Sequence, residues 1–117
     1  MTSLTGKTVL VVEDDYFIAT EMCRTLEQAG ARVLGPIGRV ADSLALIARS
    51  DRIDGAVLDL NLREEMAFPV ADMLGERGVP FVFATGYDDS VIPERYRDAP
   101  RCRKPVEPET VCRALFD

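Results

Sequence analysis

An open α/β sandwich is the fold this sequence predicts: five parallel strands, doubly wound, with helices on both faces. Three observations carry that expectation. Short, almost wholly apolar runs alternate with stretches whose apolar residues recur at helical spacing. The strand-like runs are continuous rather than alternating, as suits strands covered on both sides. The chain has 117 residues, which is the size of one ordinary domain, so a single unit over 1–117 is expected. Right-handed crossovers between parallel strands then give the order 2-1-3-4-5.

The first strand is Thr8–Val12, a β-branched run. Ile18, Met22, Leu26 and Ala29 follow at helical spacing, and Gly30 is a helix stop. Residues 32–34 form a second, weaker strand, closed by the breakers Gly35, Pro36 and Gly38. Val40, Leu44, Ile47 and Ala48 mark a second helix that begins near Gly38 or Arg39. Residues 55–60 are the third strand. Ala67, Val70, Ala71 and Leu74 mark the third helix, where Pro69 fits only in the first turn. Residues 79–84 are the fourth strand. Pro93 and Pro100 bracket the next stretch, so the fourth helix is expected to be short or irregular, and residues 86–98 mobile on microsecond-to-millisecond timescales. Residues 102–103 are a brief fifth strand, and residues 107–116 the last helix, with Pro108 in its first turn.

Composition narrows the function. Fourteen basic against twenty acidic residues give a net charge of −6, shared evenly along the chain, which repels phosphate backbones and argues against nucleic-acid binding. No apolar run is long enough to span a bilayer, and the start shows no signal peptide, so a cytoplasmic protein without a membrane role is expected. Cys23, Cys102 and Cys112 are odd in number and lack metal-like spacing, so they read as reduced, small hydrophobes. Histidine is absent altogether, which removes Ser-His-Asp and Cys-His nucleophiles, His metal sites and any phosphohistidine relay within the chain. Chemistry here must run on carboxylates, hydroxyls, lysine and a borrowed metal ion.

In sheets of this kind ligands bind beyond the carboxyl ends of the strands, at the switch point in strand order. The first strand delivers Glu13, Asp14 and Asp15 there, the third Asp59 and then Asn61, the fourth Thr85 and Gly86, the fifth Lys104. The second delivers nothing polar. Taken singly, these residues read as helix caps, turn hydroxyls or surface charges; together they make a coherent set. Crowded carboxylates disfavour joint ionisation unless a cation joins them, and an all-oxygen set suits Mg²⁺ better than zinc. Such a clamp holds phosphoryl oxygens, with Asp59 as nucleophile, Lys104 neutralising one oxygen and Thr85 hydrogen-bonding another. Asp15 reads as a first-turn helix residue. The pattern describes a phosphoryl-accepting switch.

Val11-Val12-Glu13-Asp14-Asp15, Val57-Leu58-Asp59-Leu60-Asn61-Leu62, Ala84-Thr85-Gly86 and Lys104-Pro105, in this order, resemble the receiver domain of two-component response regulators, a flavodoxin-like fold, over essentially the whole chain. Pro80-Phe81-Val82-Phe83-Ala84-Thr85-Gly86-Tyr87 further resembles the FAT GUY subgroup, usually stand-alone receivers of alphaproteobacteria served by histidine kinases of the HWE or related type. The resemblance implies that Asp59 is the phosphoacceptor, that Asp14 and Asp59 contact Mg²⁺ directly and Glu13 through water, and that the backbone carbonyl of Asn61 completes the ligands. It implies that Thr85 and Lys104 engage the phosphoryl group and that Lys104–Pro105 is cis.

One departure stands out. Receivers commonly carry Tyr or Phe three residues before the lysine as a rotamer switch; here that position is Arg101. Tyr87 is the candidate replacement, and Asn61 and Tyr87 are candidates for tuning the lifetime of the phosphoryl group. Arg95, Arg97, Arg101 and Arg103 beside Lys104 form a basic cluster that is either a docking patch for an acidic partner or a solvated face. The expectation is a single-domain, monomeric response regulator that is no enzyme beyond its own phosphorylation and dephosphorylation. It would take the phosphoryl group from a histidine kinase and act on a protein target, pass the group to a phosphotransfer protein, or serve as a phosphate sink. The alternatives are a phosphorylation-independent adaptor with a degenerate receiver fold and a small phosphohydrolase with an aspartyl nucleophile.

Overall fold

The computed structural model describes residues 3–62, 65–85 and 92–116. Five parallel strands form the main sheet: β1 (Thr8–Val12), β2 (Arg32–Ile37), β3 (Gly55–Asp59), β6 (Phe81–Thr85) and β7 (Arg101–Arg103). They lie in the order β2-β1-β3-β6-β7, which is the expected 2-1-3-4-5 once a small hairpin is set aside. That hairpin, β4 (Asn61–Leu62) paired antiparallel with β5 (Glu65–Met66), follows β3 directly and was not anticipated. The helices are α1 (Tyr16–Gln28), α2 (Val40–Arg49), α3 (Phe68–Glu76) and α4 (Pro108–Phe116). Among the described residues, none is long and apolar enough to cross a membrane.

Strand pleating sorts the core into two layers. Val9, Val11, Val57 and Val82 point toward α1 and α4, where they meet Met22, Leu26, Val111 and Leu115. Leu10, Val12, Leu58 and Phe83 point the other way, onto Ile47 of α2 and Val70 and Leu74 of α3. Both faces of β1 and β3 are buried along their whole length, which is why their sequences are continuous apolar runs rather than alternating ones. Cys23 and Cys102 are buried within the first layer, and Cys112 packs against it half-buried.

Several boundaries differ from expectation for identifiable reasons. Asp15 is the N-cap of α1 rather than a first-turn residue: its backbone is extended and its carboxylate accepts the Ile18 N–H at 3.0 Å. The second strand does not stop at Gly35-Pro36. It absorbs them in an irregularity, with Gly35 at φ +104° and a cis peptide to Pro36, and regains pairing at Val12 opposite Ile37. The fourth strand begins at Phe81, two residues late, because Pro80 has no N–H to give the ladder and contributes only its carbonyl, to Ala56 N–H. The strand then runs one residue further, through Thr85, and β7 takes in Arg101. β3 ends at Asp59 because Leu60 turns into the hairpin, and α4 begins at Pro108, with Glu107 O accepting from Val111 N–H. Where the fourth helix was expected to be short or irregular, the described residues carry one 3-10 turn, Glu94–Tyr96. Gly86 and Tyr87 lie outside the described residues, as does the part of the expected mobile stretch from 86 to 91.

Candidate functional site

Parallel register builds the site at one rim. Val12 pairs with Leu58, so Glu13 emerges level with Asp59. Asp59 pairs with Ala84, which puts Thr85 one residue beyond it, and Thr85 pairs with Arg103, which puts Lys104 one residue beyond that. Thus the ends of four adjacent strands converge without any long-range side-chain reach.

Glu13, Asp14 and Asp59 each offer a carboxylate oxygen, and the three lie within 4.8 Å of one another. Lys104 completes the group: its Nζ stands 2.6 Å from Glu13 Oε1 and 3.1 Å from Asp59 Oδ1. The peptide to Pro105 is cis, and the Lys104 N–H donates to Thr85 O at 3.1 Å, which locks the lysine's backbone to the end of β6. Thr85 itself is buried, and Asp59 keeps 12% of its side chain exposed.

The electrostatics are uneven. Glu13 is 3% exposed, and loss of solvent pushes its carboxyl up to about 7, with Asp59 adding repulsion. Lys104 and the Asp15 N–H, which donates to Oε2 at 3.1 Å, pull the other way. Lys104 is held charged by the two carboxylates, which outweigh its own burial. Glu13 Oε1 is close to Lys104 Nζ yet has no well-directed hydrogen bond. Three carboxylates, all of them oxygen donors, fit a hard divalent cation and not a thiophilic one.

Of the residues singled out in the sequence, Glu13, Asp14, Asp59, Thr85 and Lys104 are brought to one rim. Asn61 opens the β4–β5 hairpin, exposed and opposite Met66. Arg101 engages the turn before β7: its Nη2 donates to Arg97 O at 2.7 Å and to Tyr96 O at 3.4 Å. The basic cluster is mostly engaged at home. Arg95 forks onto Asp72 with two contacts of 3.2 Å, and Arg97 pairs with Glu94 at 2.8 Å. This weakens the reading of those arginines as a docking patch.

Sequence reasoning missed one contributor to the site and one anchor of the turn before β7. The second strand does serve the site: Ile37 O accepts the Glu13 N–H at 2.9 Å, and Gly38 packs against Asp14. Tyr96 was also overlooked. Its ring stacks on Phe68 and meets Phe81 and Phe83 edge-on, and its hydroxyl donates to Asp72. The signal for Gly38 was present as a glycine just past a strand, but it reads equally as a breaker. Nothing local to Tyr96 identifies its partners.

Beside the site runs a groove of about 620 Å³ between α1 and the loop into α4, lined by Phe17, Met22, Lys104, Pro105 and Val106. Tyr16 and Phe17 at the start of α1 are 76% and 80% exposed, against the usual placement of large apolar side chains.

No family model matches the chain, and no curated protein does. Solved structures match over nearly its full length. SdrG from Sphingomonas melonis Fr1 is 40% identical, with a TM-score of 0.80, over 98% of this chain and 96% of that one. The BeF3-activated conformation of SdrG from Pseudomonas melonis Fr1 is likewise 40% identical, with a TM-score of 0.76 over the same shares. A response regulator receiver protein from Burkholderia phymatum is 25% identical, with a TM-score of 0.77, over 93% of this chain and 94% of that one.

Proposed function

Because this chain belongs to the receiver domains of response regulators, we propose that it is a phosphorylation switch whose acceptor is Asp59. The observation that carries the reading is the placement of Lys104 Nζ against Asp59 at the head of a three-carboxylate cluster. An Asp59 oxygen attacks phosphorus in line with the departing group. The bond from phosphorus to the donor's histidine nitrogen breaks as the new P–O bond forms, leaving an acyl phosphate and a free imidazole. Water later attacks phosphorus, releasing phosphate and restoring the carboxylate.

Lys104 is already in place to neutralise charge that develops on the phosphoryl oxygens. Thr85, at the neighbouring strand end, supplies a hydroxyl to another. Glu13, Asp14 and Asp59, with the Asn61 carbonyl, would hold Mg²⁺. Bound there, the ion would offset the charge of carboxylates and phosphoryl group together. The groove beside Lys104, lined by the exposed Phe17, is where we seat the phosphodonor, a histidine kinase, since its phosphohistidine must reach Asp59 from outside. The FAT GUY-like segment, residues 80–87, supports a kinase of the HWE type. Output runs through protein contacts or through drainage of phosphate, and the chain catalyses only its own phosphorylation and dephosphorylation.

Intact-mass measurement with acetyl phosphate and Mg²⁺ tests this reading. One alkali-labile phosphoryl adduct is expected on the wild type and none on Asp59→Asn. An adduct that persists in the variant, or none in either, would overturn it; the second result would return the adaptor reading.

A further inference from the structure

The second strand, expected to bring nothing polar to the site, builds the wall behind the acidic pair. Past the irregularity at Gly35-Pro36, Ile37 accepts the Glu13 N–H and the chain passes directly beside Asp14. Gly38 makes that approach possible. A methyl group on it would lie 3.1 Å from Asp14 Cα and 3.2 Å from Asp14 Cβ, with the Glu13 carbonyl at 3.7 Å. The first two distances are inside the ordinary carbon–carbon contact of about 3.5–4.0 Å.

The wall has little freedom to retreat. Ile37 is tied to Glu13, and the Ser43 hydroxyl and N–H both bond Arg39 O, at 2.8 and 3.0 Å. The first turn of α2 has no side-chain cap of its own. The Val40 N–H is instead taken by Glu65 of the β4–β5 hairpin, at 3.3 Å. The hairpin that follows Asp59 thus fastens the helix that backs Asp14. Extra bulk at Gly38 must therefore be taken up in part by Asp14, whose backbone would be pushed by a few tenths of an ångström.

We infer that Gly38 is a positioning residue: by lacking a side chain it lets the turn into α2 close on Asp14 and keeps that carboxylate within reach of Glu13 and Asp59. The inference rests on the metal reading above. It concerns how tightly the cluster binds Mg²⁺, not the phosphoryl step.

Mg²⁺ titration of the full chain, followed by amide NMR shifts and calorimetry, tests it. Gly38→Ala should weaken Mg²⁺ binding roughly tenfold, the lower end of what outer residues cost a metal site. Gly75→Ala, where an added methyl meets nothing within 4 Å, should leave it unchanged. In an Asp14→Asn background the Gly38 substitution should cost little more, because the two act through one contact. Wild-type affinity in Gly38→Ala, or an undiminished loss in the Asp14→Asn background, would overturn the inference alone. Absence of Mg²⁺ binding by the wild type would overturn the metal reading together with it. A readout independent of the variant's folding is the Gly38 amide of the wild type, which should shift with the same midpoint as that of Asp14; a Gly38 signal that stays still while Asp14 moves counts against the role.

Discussion

Glu13 is the least solvated carboxylate of the site, and it stays there because Lys104 and the Asp15 N–H meet it on two sides. Two negative side chains and one positive one in a buried corner are costly to desolvate, so their presence speaks for function more than for stability. Asp54 shows the opposite balance, at the other end of β1. It accepts the Thr8 N–H at 2.7 Å and pairs with Arg52 at 3.1 Å, and the Thr8 bond is the main reason its carboxyl is held below the usual aspartate range. A depressed carboxyl contributes stability above its unfolded pKa and loses it as pH falls through the lowered folded value. Asp54→Asn should therefore cost about 1 kcal/mol at pH 7, with the gap to wild type closing in acid, as read by urea unfolding from pH 7 to pH 2. A gap that stays constant across that range would show that the charge is not what matters.

At the level of elements, residues 92–100, the described part of the stretch before β7, are held by Tyr96. Its ring fills an aromatic cluster with Phe68, Phe81 and Phe83, its hydroxyl bonds Asp72 on α3, and Arg95 lies over its face, 5.0 Å from the ring centroid. Arg101, at the position where receivers often carry an aromatic switch, instead grips the carbonyls of this turn. Tyr96→Phe keeps the ring and removes the bond to a charged acceptor, so it should destabilise the protein by about 1.5–3 kcal/mol, near the lower end because Asp72 is partly exposed. Thermal melts of Tyr96→Phe, Asp72→Asn and the double variant test this, since a shared bond makes the losses less than additive. Full additivity would mean that hydroxyl and carboxylate act separately.

On the scale of the molecule, the described residues leave an apolar opening uncovered next to the rim that carries the chemistry. Phe17 is 80% exposed on a chain whose other large apolar residues mostly sit in two core layers. Phe17→Ala removes no core contact, so the fold should be untouched. If the groove seats the phosphodonor, transfer from a kinase phosphohistidine should slow at least about tenfold, the effect of a modest interface anchor, while labelling by acetyl phosphate changes far less. Equal slowing with both donors would place the effect in the chemistry rather than in docking.

The order of strands, the two-layer core and the convergence of Glu13, Asp14, Asp59, Thr85 and Lys104 were legible in the sequence. Each follows from local signals: an apolar run long enough for a strand, a polar residue at its end, and a crossover rule that fixes which ends are neighbours. Asp15 as a cap, Gly38 as a wall, Glu65 reaching the first turn of α2 and Tyr96 bonding Asp72 were not. The last three depend on distances between segments far apart in the chain, set by how helices seat on the sheet, and no pattern within one segment encodes them. What the amino-acid order determined was the list of reactive groups and the rim they share; what only packing decided was how closely their neighbours press on them.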